Sequence, residues 1–168
     1  NKPPCDHSLP LLVVEAMSQP PPDSKQSDVR RYQSLVGALL YCSGNTRPDV
    51  AFAVGLLCRA MSRPTPELYE AGLRVLGYLY RSRHIGLRYG LDQKPLTGQC
   101  DSDWGARHST SGWQFTYSQA VVSWGSKKQT SVALSSCEAE IMAASEAAKE
   151  AIFLGRFLTE LGHGDAEP

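Results

Sequence analysis

No stretch of this 168-residue chain is apolar for the ~20 residues that a membrane-spanning helix needs, so no membrane segment is expected. There is no Cys-x-x-Cys pair. The five cysteines, at 5, 42, 58, 100 and 137, are scattered and odd in number, and read as free thiols in a reducing compartment, the cytoplasm or nucleus. The four histidines, His7, His84, His108 and His163, have no ligand-like spacing. A Gly-rich phosphate loop, an H-E-x-x-H motif and a nucleophile elbow are all missing, as is any internal repeat. The first residues, Asn1-Lys-Pro-Pro, carry neither Met nor a signal-peptide pattern, which points to an internal fragment or a processed product. Net charge is zero.

What is present is enough apolar residue for a core, 42%, so disorder along the whole chain is not expected. Charge is unevenly placed: residues 1–27, 28–96 and 97–168 carry −1, +5 and −4. A basic middle beside an acidic end fits nucleic-acid backbone contact next to a cation site, or two solvated surfaces that simply differ. The basic residues Arg30, Arg31, Arg47, Arg59, Arg63, Arg74, Arg81 and Arg83 make phosphate contact plausible.

Three segments follow from the patterning. Residues 1–27, rich in Pro and Ser, read as an extended or poorly ordered lead-in. Residues 28–96 read as mainly helical. One helix covers 29–45. A second follows Thr46 or Arg47 as cap, with Pro48 in its first turn and a stripe of Val50, Val54, Leu57, Cys58 and Met61. A third starts at Thr65-Pro66-Glu67 with a stripe of Leu68, Leu73, Leu76, Leu79 and Tyr80. Alternation of Ile85, Leu87, Tyr89 and Leu91 predicts a strand, and the domain boundary falls near 92–97. Residues 97–168 read as three strands, 98–104, 112–117 and 120–125, in an antiparallel meander with the tight link Ser118-Gln119. A helix capped by Ser135-Ser136 then runs to about Leu161, closed by Gly162. The fold class is α/β in an α+β arrangement.

Two carboxylates stand out. The stripe Cys137, Glu140, Ala144, Ala147, Ala151, Leu154, Leu158 and Leu161 follows steps of three and four, and puts Glu140 on the expected buried face. Glu138 is about 200° away and reads as a surface acid near the helix N-terminus. A buried carboxylate needs a partner, and a second acid with a divalent metal is one solution. Asp101 and Asp103 share one strand face, with Ser102 on the other. Either meets Glu140 if the helix packs on their side. Lys127 and Lys128, and Arg107 and Ser109 near the first strand, are candidate nucleic-acid contacts. Trp104, Trp113 and Trp124 read as core rather than stacking platforms.

Seven motifs in order give these parts a family. They are Tyr32-Gln-Ser-Leu-Val-Gly-Ala-Leu-Leu-Tyr41, Thr46-Arg-Pro-Asp-Val-Ala-Phe-Ala53, Arg74-Val-Leu-Gly-Tyr-Leu79, Cys100-Asp-Ser-Asp-Trp104, Ser109-Thr-Ser-Gly112, Ser123-Trp-Gly-Ser-Lys-Lys-Gln129 and Ser135-Ser-Cys-Glu-Ala-Glu140. Over residues 28–162 the chain resembles the Pol polyprotein of copia-type LTR retrotransposons. The resemblance implies that 28–92 is the C-terminal end of a reverse transcriptase, its thumb or connection region. It implies that 97–162 is the first half of an RNase H domain. Asp101 and Glu140 then correspond to the family's first-strand Asp and first-helix Glu, with Asp103 a weaker candidate.

The implied activity is cleavage of RNA in an RNA–DNA hybrid, using two magnesium ions roughly 4 Å apart held by four carboxylates. The third and fourth carboxylates have no counterpart here; Asp165 lacks a strand context. The expectation is therefore an incomplete site, a chain inactive alone, and a sheet edge open to a protein partner. Alternatives are a repurposed structural or interaction subunit, and a nucleic-acid-binding fragment. Departures from the family pattern are a shortened loop at 103–109, Cys137 where Thr is common, Ile141 where an aromatic is common, and Ser118-Gln119 where Gly-Gly is common.

Overall fold

Helix signals and hairpin signals occupy different stretches of the chain, and they build two separate units, residues 1–86 and 87–168. The computed structural model describes residues 8–18, 26–90, 95–104 and 108–163. The expected continuation of a strand to Leu91, the acid Asp165 and the contact residue Arg107 lie outside them. Among the described residues the chain is α+β: five α-helices and a three-stranded antiparallel sheet.

In the first unit, α1 (Ser8–Ser18), α2 (Gln26–Asn45), α3 (Ala51–Arg59) and α4 (Pro66–Arg81) share one apolar core. Much of the lead-in is thus helix rather than extended chain. Leu9, Val13 and Ala16 recur at helical spacing and are buried against the other helices. Thr65 caps α4, its hydroxyl accepting from the Leu68 amide, with Pro66 and Glu67 in the first turn. Arg47 and Pro48 instead open a 3-10 turn, Pro48–Val50, before α3, and the turn has no side-chain cap. The α4 stripe is rotated from the expected one. It buries Leu68, Ala71, Gly72 and Val75, whereas Leu73, Leu76 and Tyr80 are exposed.

Arg47 is not a surface cation. It is 7% exposed. Its guanidinium donates to both oxygens of Asp49, at 2.9 and 2.7 Å, and to the carbonyl and hydroxyl of Ser82, at 3.2 and 2.7 Å. The Tyr78 hydroxyl also donates to Asp49. The Arg47 hydrogen bonds hold the Asp49 carboxyl below its ordinary range, against partial burial. Tyr32, fully buried, donates to the Leu57 carbonyl at 2.9 Å, and burial pushes its phenol well up.

The second unit begins earlier than 92–97. Gly90 donates its amide to the Ser118 carbonyl, and Tyr89 its hydroxyl to that of Val121. No strand forms over 85–90; those two bonds tie the segment to the hairpin without a ladder. Strands β1 (Thr97–Asp103), β2 (Thr110–Tyr117) and β3 (Ala120–Lys128) form the expected meander in the order β1-β2-β3. Ser118 and Gln119, at φ 49° and 73°, make the two-residue turn whose left-handed residues match strand twist. Ser135 caps α5 (Ser136–Glu160), accepting from the Glu138 amide. Gly162, at φ 81°, ends it.

The register fixes which sheet face the helix covers. Side chains directly opposite in an antiparallel pair lie on the same face. Phe115 sits in the core with Ala147 and Leu158 of α5, so Phe115 and its partners Gly98 and Ser123 face the helix. A Cβ on Gly98 would run into the Phe115 ring. Ser123 donates to Glu150 of α5 at 2.6 Å. Hence Gly98, Cys100 and Ser102 of β1 are on the helix side. On the other face Gln114 donates to Gln99, and the Thr97 and Thr116 hydroxyls share a hydrogen bond.

Candidate functional site

By the same alternation Asp101 and Asp103 lie with Thr97 and Gln99 on the face away from α5. Asp101 pairs across β2 with Gly112, is exposed, and accepts a 2.9 Å bond from the Ser102 amide on one oxygen. Asp103 is exposed at the strand end. The condition under which either acid meets Glu140, a helix on their side of the sheet, is not met.

Glu140 is not buried either. The face of α5 against the sheet is Ala139, Ala143, Ala147, Gly155 and Leu158. Glu140, one residue and ~100° from Ala139, is exposed, as is Cys137. Glu138 is on the surface as expected, and one of its oxygens accepts from the Leu134 amide, reinforcing the Ser135 cap. Among the described residues no three His, Cys, Asp or Glu side chains converge as metal ligands. Asp101, Asp103 and Glu140 therefore do not fit a shared magnesium site in this fold.

The four nucleic-acid candidates separate. Lys127 and Lys128 are exposed at the end of β3. Lys127 pairs with Glu146 at 3.5 Å. Lys149, on the other oxygen at 2.6 Å, and then Lys127 hold the Glu146 carboxyl below its ordinary range. A cavity of about 230 Å³ beside this pair is lined by Lys127, Lys128, Thr130, Ser145 and Glu146 among others. Ser109, by contrast, is 1% exposed, and its carbonyl accepts from the Gln129 amide. It cannot touch a nucleic acid, because the strand entry at β2 is packed under the loop after β3.

Sequence reasoning gave Gln129 no role beyond closing a motif. Gln129 is buried, and its amide group donates to the Ser111 hydroxyl at 3.0 Å and the Ala139 carbonyl at 2.9 Å. It pins the first turns of α5 to the sheet. Trp104, which alternation puts on the helix side, donates to the Ala133 carbonyl at 3.2 Å and ties the end of β1 to the loop before α5. Trp104 is half exposed, whereas Trp113 packs in the core with its ring over Gly125. The signal for Gln129 was the small Ala139 on the helix beneath which it fits.

Comparison with known proteins gives this geometry a lineage. No family model matches the chain, and no solved structure matches it. It is 44% identical over 135 residues, 78% of its length, to the retrovirus-related Pol polyprotein from transposon TNT 1-94 of Nicotiana tabacum. It is 35% identical over 145 residues, 83% of its length, to that from transposon RE1 of Arabidopsis thaliana. The chain spans about 10% of each of these polyproteins. It is also 46% identical over 128 residues, 73% of its length, to the secreted RxLR effector protein 161 of Plasmopara viticola, of which it covers 90%. With its seven ordered motifs and these relatives, the chain belongs to the copia-type retrotransposon Pol polyprotein family.

Proposed function

We propose that residues 97–162 are the RNase H-type region of a copia-type Pol polyprotein, following a helical reverse transcriptase thumb or connection region, and that this chain as folded does not cleave RNA–DNA hybrids. The observation that carries the second half is the register of β1. It turns Asp101 away from the helix that bears Glu140, so the two carboxylates do not share a cation. The test is magnesium-dependent cleavage of an end-labelled RNA–DNA hybrid by the 168-residue chain. No cleavage above buffer is expected. Cleavage that vanishes in Asp101→Asn and Glu140→Gln variants overturns the reading.

Hybrid binding without cleavage is compatible with the exposed Lys127 and Lys128. Such contact is to phosphate and weakens steeply with salt. Binding by the chain that is indifferent to salt, or unchanged in a Lys127→Ala/Lys128→Ala variant, excludes these residues as the contact.

The Plasmopara viticola relative, covered over 90% of its length, favours a second reading. In that reading a segment of this extent acts as an interaction module in its own right. That reading requires the chain to fold alone. A dispersed amide spectrum with cooperative unfolding supports it, and an unfolded or aggregated chain excludes it.

A further inference from the structure

The cavity beside the Lys127–Glu146 pair lies within the second unit, where the end of β3 meets the early turns of α5. Its back wall is preformed. Ser111 and Gln129 line it, 2% and 6% exposed, and Gln129 is fixed by its bonds to the Ser111 hydroxyl and the Ala139 carbonyl. At about 230 Å³ the cavity is smaller than the ~300–1,000 Å³ of sites for drug-sized ligands, a size that suits one planar ring. We propose that it takes a single unpaired base of a single-stranded nucleic acid whose backbone runs past Lys128.

The chemistry of the walls selects this occupant. Lys127 Nζ and Glu146 Oε2 stand 3.5 Å apart, wider than a hydrogen bond of ordinary length. Each keeps capacity for a third group: the ammonium donates and the carboxylate accepts. The other Glu146 oxygen is held by Lys149 at 2.6 Å, which fixes the carboxylate in place. A donor beside an acceptor matches the pairing edge of a base, which sets an acceptor beside a donor. A bare phosphate backbone has acceptors only, and the Glu146 carboxylate repels it.

The remaining lining fits the rest of a nucleotide. Met142 is half-buried in the cavity wall, and a thioether packs well against an aromatic ring. Thr130 and Ser145 line the cavity from exposed positions, where their hydroxyls suit a sugar. Lys128, exposed at the end of β3, suits a phosphate. A base inside a duplex has its pairing edge covered by its partner, so only an unpaired base is splayed into a pocket. The proposal rests on the reading of Lys127 and Lys128 as nucleic-acid contacts and deepens it: a single strand, rather than a hybrid, is the preferred ligand.

Fluorescence anisotropy with the 168-residue chain at low salt tests this with three labelled probes: a short DNA strand of mixed sequence, the same strand annealed to RNA, and an abasic strand of equal length. The single strand should bind about tenfold tighter than either of the others. Glu146→Ala separates base reading from charge. It removes a negative charge, so contact through phosphate alone strengthens, whereas binding through a base edge weakens. The expected result is weaker binding of the single strand and tighter binding of the abasic one. Ser145→Trp, at an exposed position, fills the cavity and brings the single strand down to the level of the hybrid; circular dichroism checks that both variants fold. Equal affinity for the three probes overturns the proposal. So do no binding of any probe, a Glu146→Ala variant that binds all three more tightly, and a single-strand preference indifferent to Ser145→Trp. Hybrid binding that is still lost in the Lys127→Ala/Lys128→Ala variant would then leave the lysine contact standing and remove the pocket alone.

Discussion

Gly98 and Gly112 sit on opposite faces of the sheet, and alanine at each reads out which face the helix covers. At Gly98 the new methyl group lands on the Phe115 ring, within 2.9 Å of Cδ1 and 3.1 Å of Cζ and closer still to Cε1. That ring is 4% exposed and wedged against Ala147 and Leu158, so it cannot rotate away freely. Overpacking of this kind costs about 1–3 kcal/mol. Reduced freedom of the unfolded chain returns roughly 0.4–1 kcal/mol, leaving a net loss of about 1–2 kcal/mol. At Gly112 the methyl group meets nothing nearer than the Asp101 carbonyl at 3.9 Å, so only the gain remains. Urea denaturation followed by tryptophan fluorescence isolates the effect, since Trp104, Trp113 and Trp124 all lie in the second unit. The midpoint should fall for Gly98→Ala and hold or rise for Gly112→Ala. Equal effects, or the reverse order, would refute the assigned faces and with them the placement of Asp101.

In the helical unit, Arg47→Met should cost about 1–2 kcal/mol in thermal unfolding followed by circular dichroism, less than for a fully buried pair because the Asp49 side chain is 36% exposed. Arg47 depresses the Asp49 pKa from its ordinary 3.8. The stability it contributes is therefore present above about pH 4 and lost as pH falls through the lowered value. Arg47→Met should flatten that acid limb, and an unchanged limb would assign it to other groups. Tyr32→Phe removes one of two donors to the Leu57 carbonyl, the Ala60 amide remaining, and should destabilise by about 0.5–1.5 kcal/mol; a neutral result by denaturant titration would mean that the hydroxyl bond contributes nothing net.

The hairpins and caps were legible in the sequence because their signals are local. Ser118-Gln119, Thr65-Pro66 and Ser135 each act within a turn of chain, and each stands where its chemistry placed it. Helix phase was less legible. The stripe from Cys137 to Leu161 steps alternately by three and four, a 3.5-residue period. Against a straight helix it drifts ~20° per seven residues, about 70° over its length. It therefore fits Leu154 and Leu158 at one end and misplaces Glu140 at the other, where Ala139 and Ala143 are the buried residues. The α4 stripe failed for a related reason: it followed leucines and passed over Ala71, Gly72 and Val75, the residues small enough to let helices approach. The strand gave the right alternation for Asp101 and Asp103. Which face the helix would choose depended on Gly98 making room for Phe115, a long-range fit that alternation does not encode. Arg47 was read as a phosphate contact although Asp49, two residues on, takes two of its guanidinium nitrogens; the Ser82 contacts that help to bury it come from 35 residues away.

The central claim is that Asp101 and Glu140 do not act on one cation in this chain. Manganese, which substitutes for magnesium and broadens amide signals near it, tests that directly when titrated into the labelled protein. The account predicts no common, saturable broadening of the amides around Asp101 in β1 and Glu140 in α5. Broadening of both segments with a single midpoint, abolished by Asp101→Asn, would contradict it.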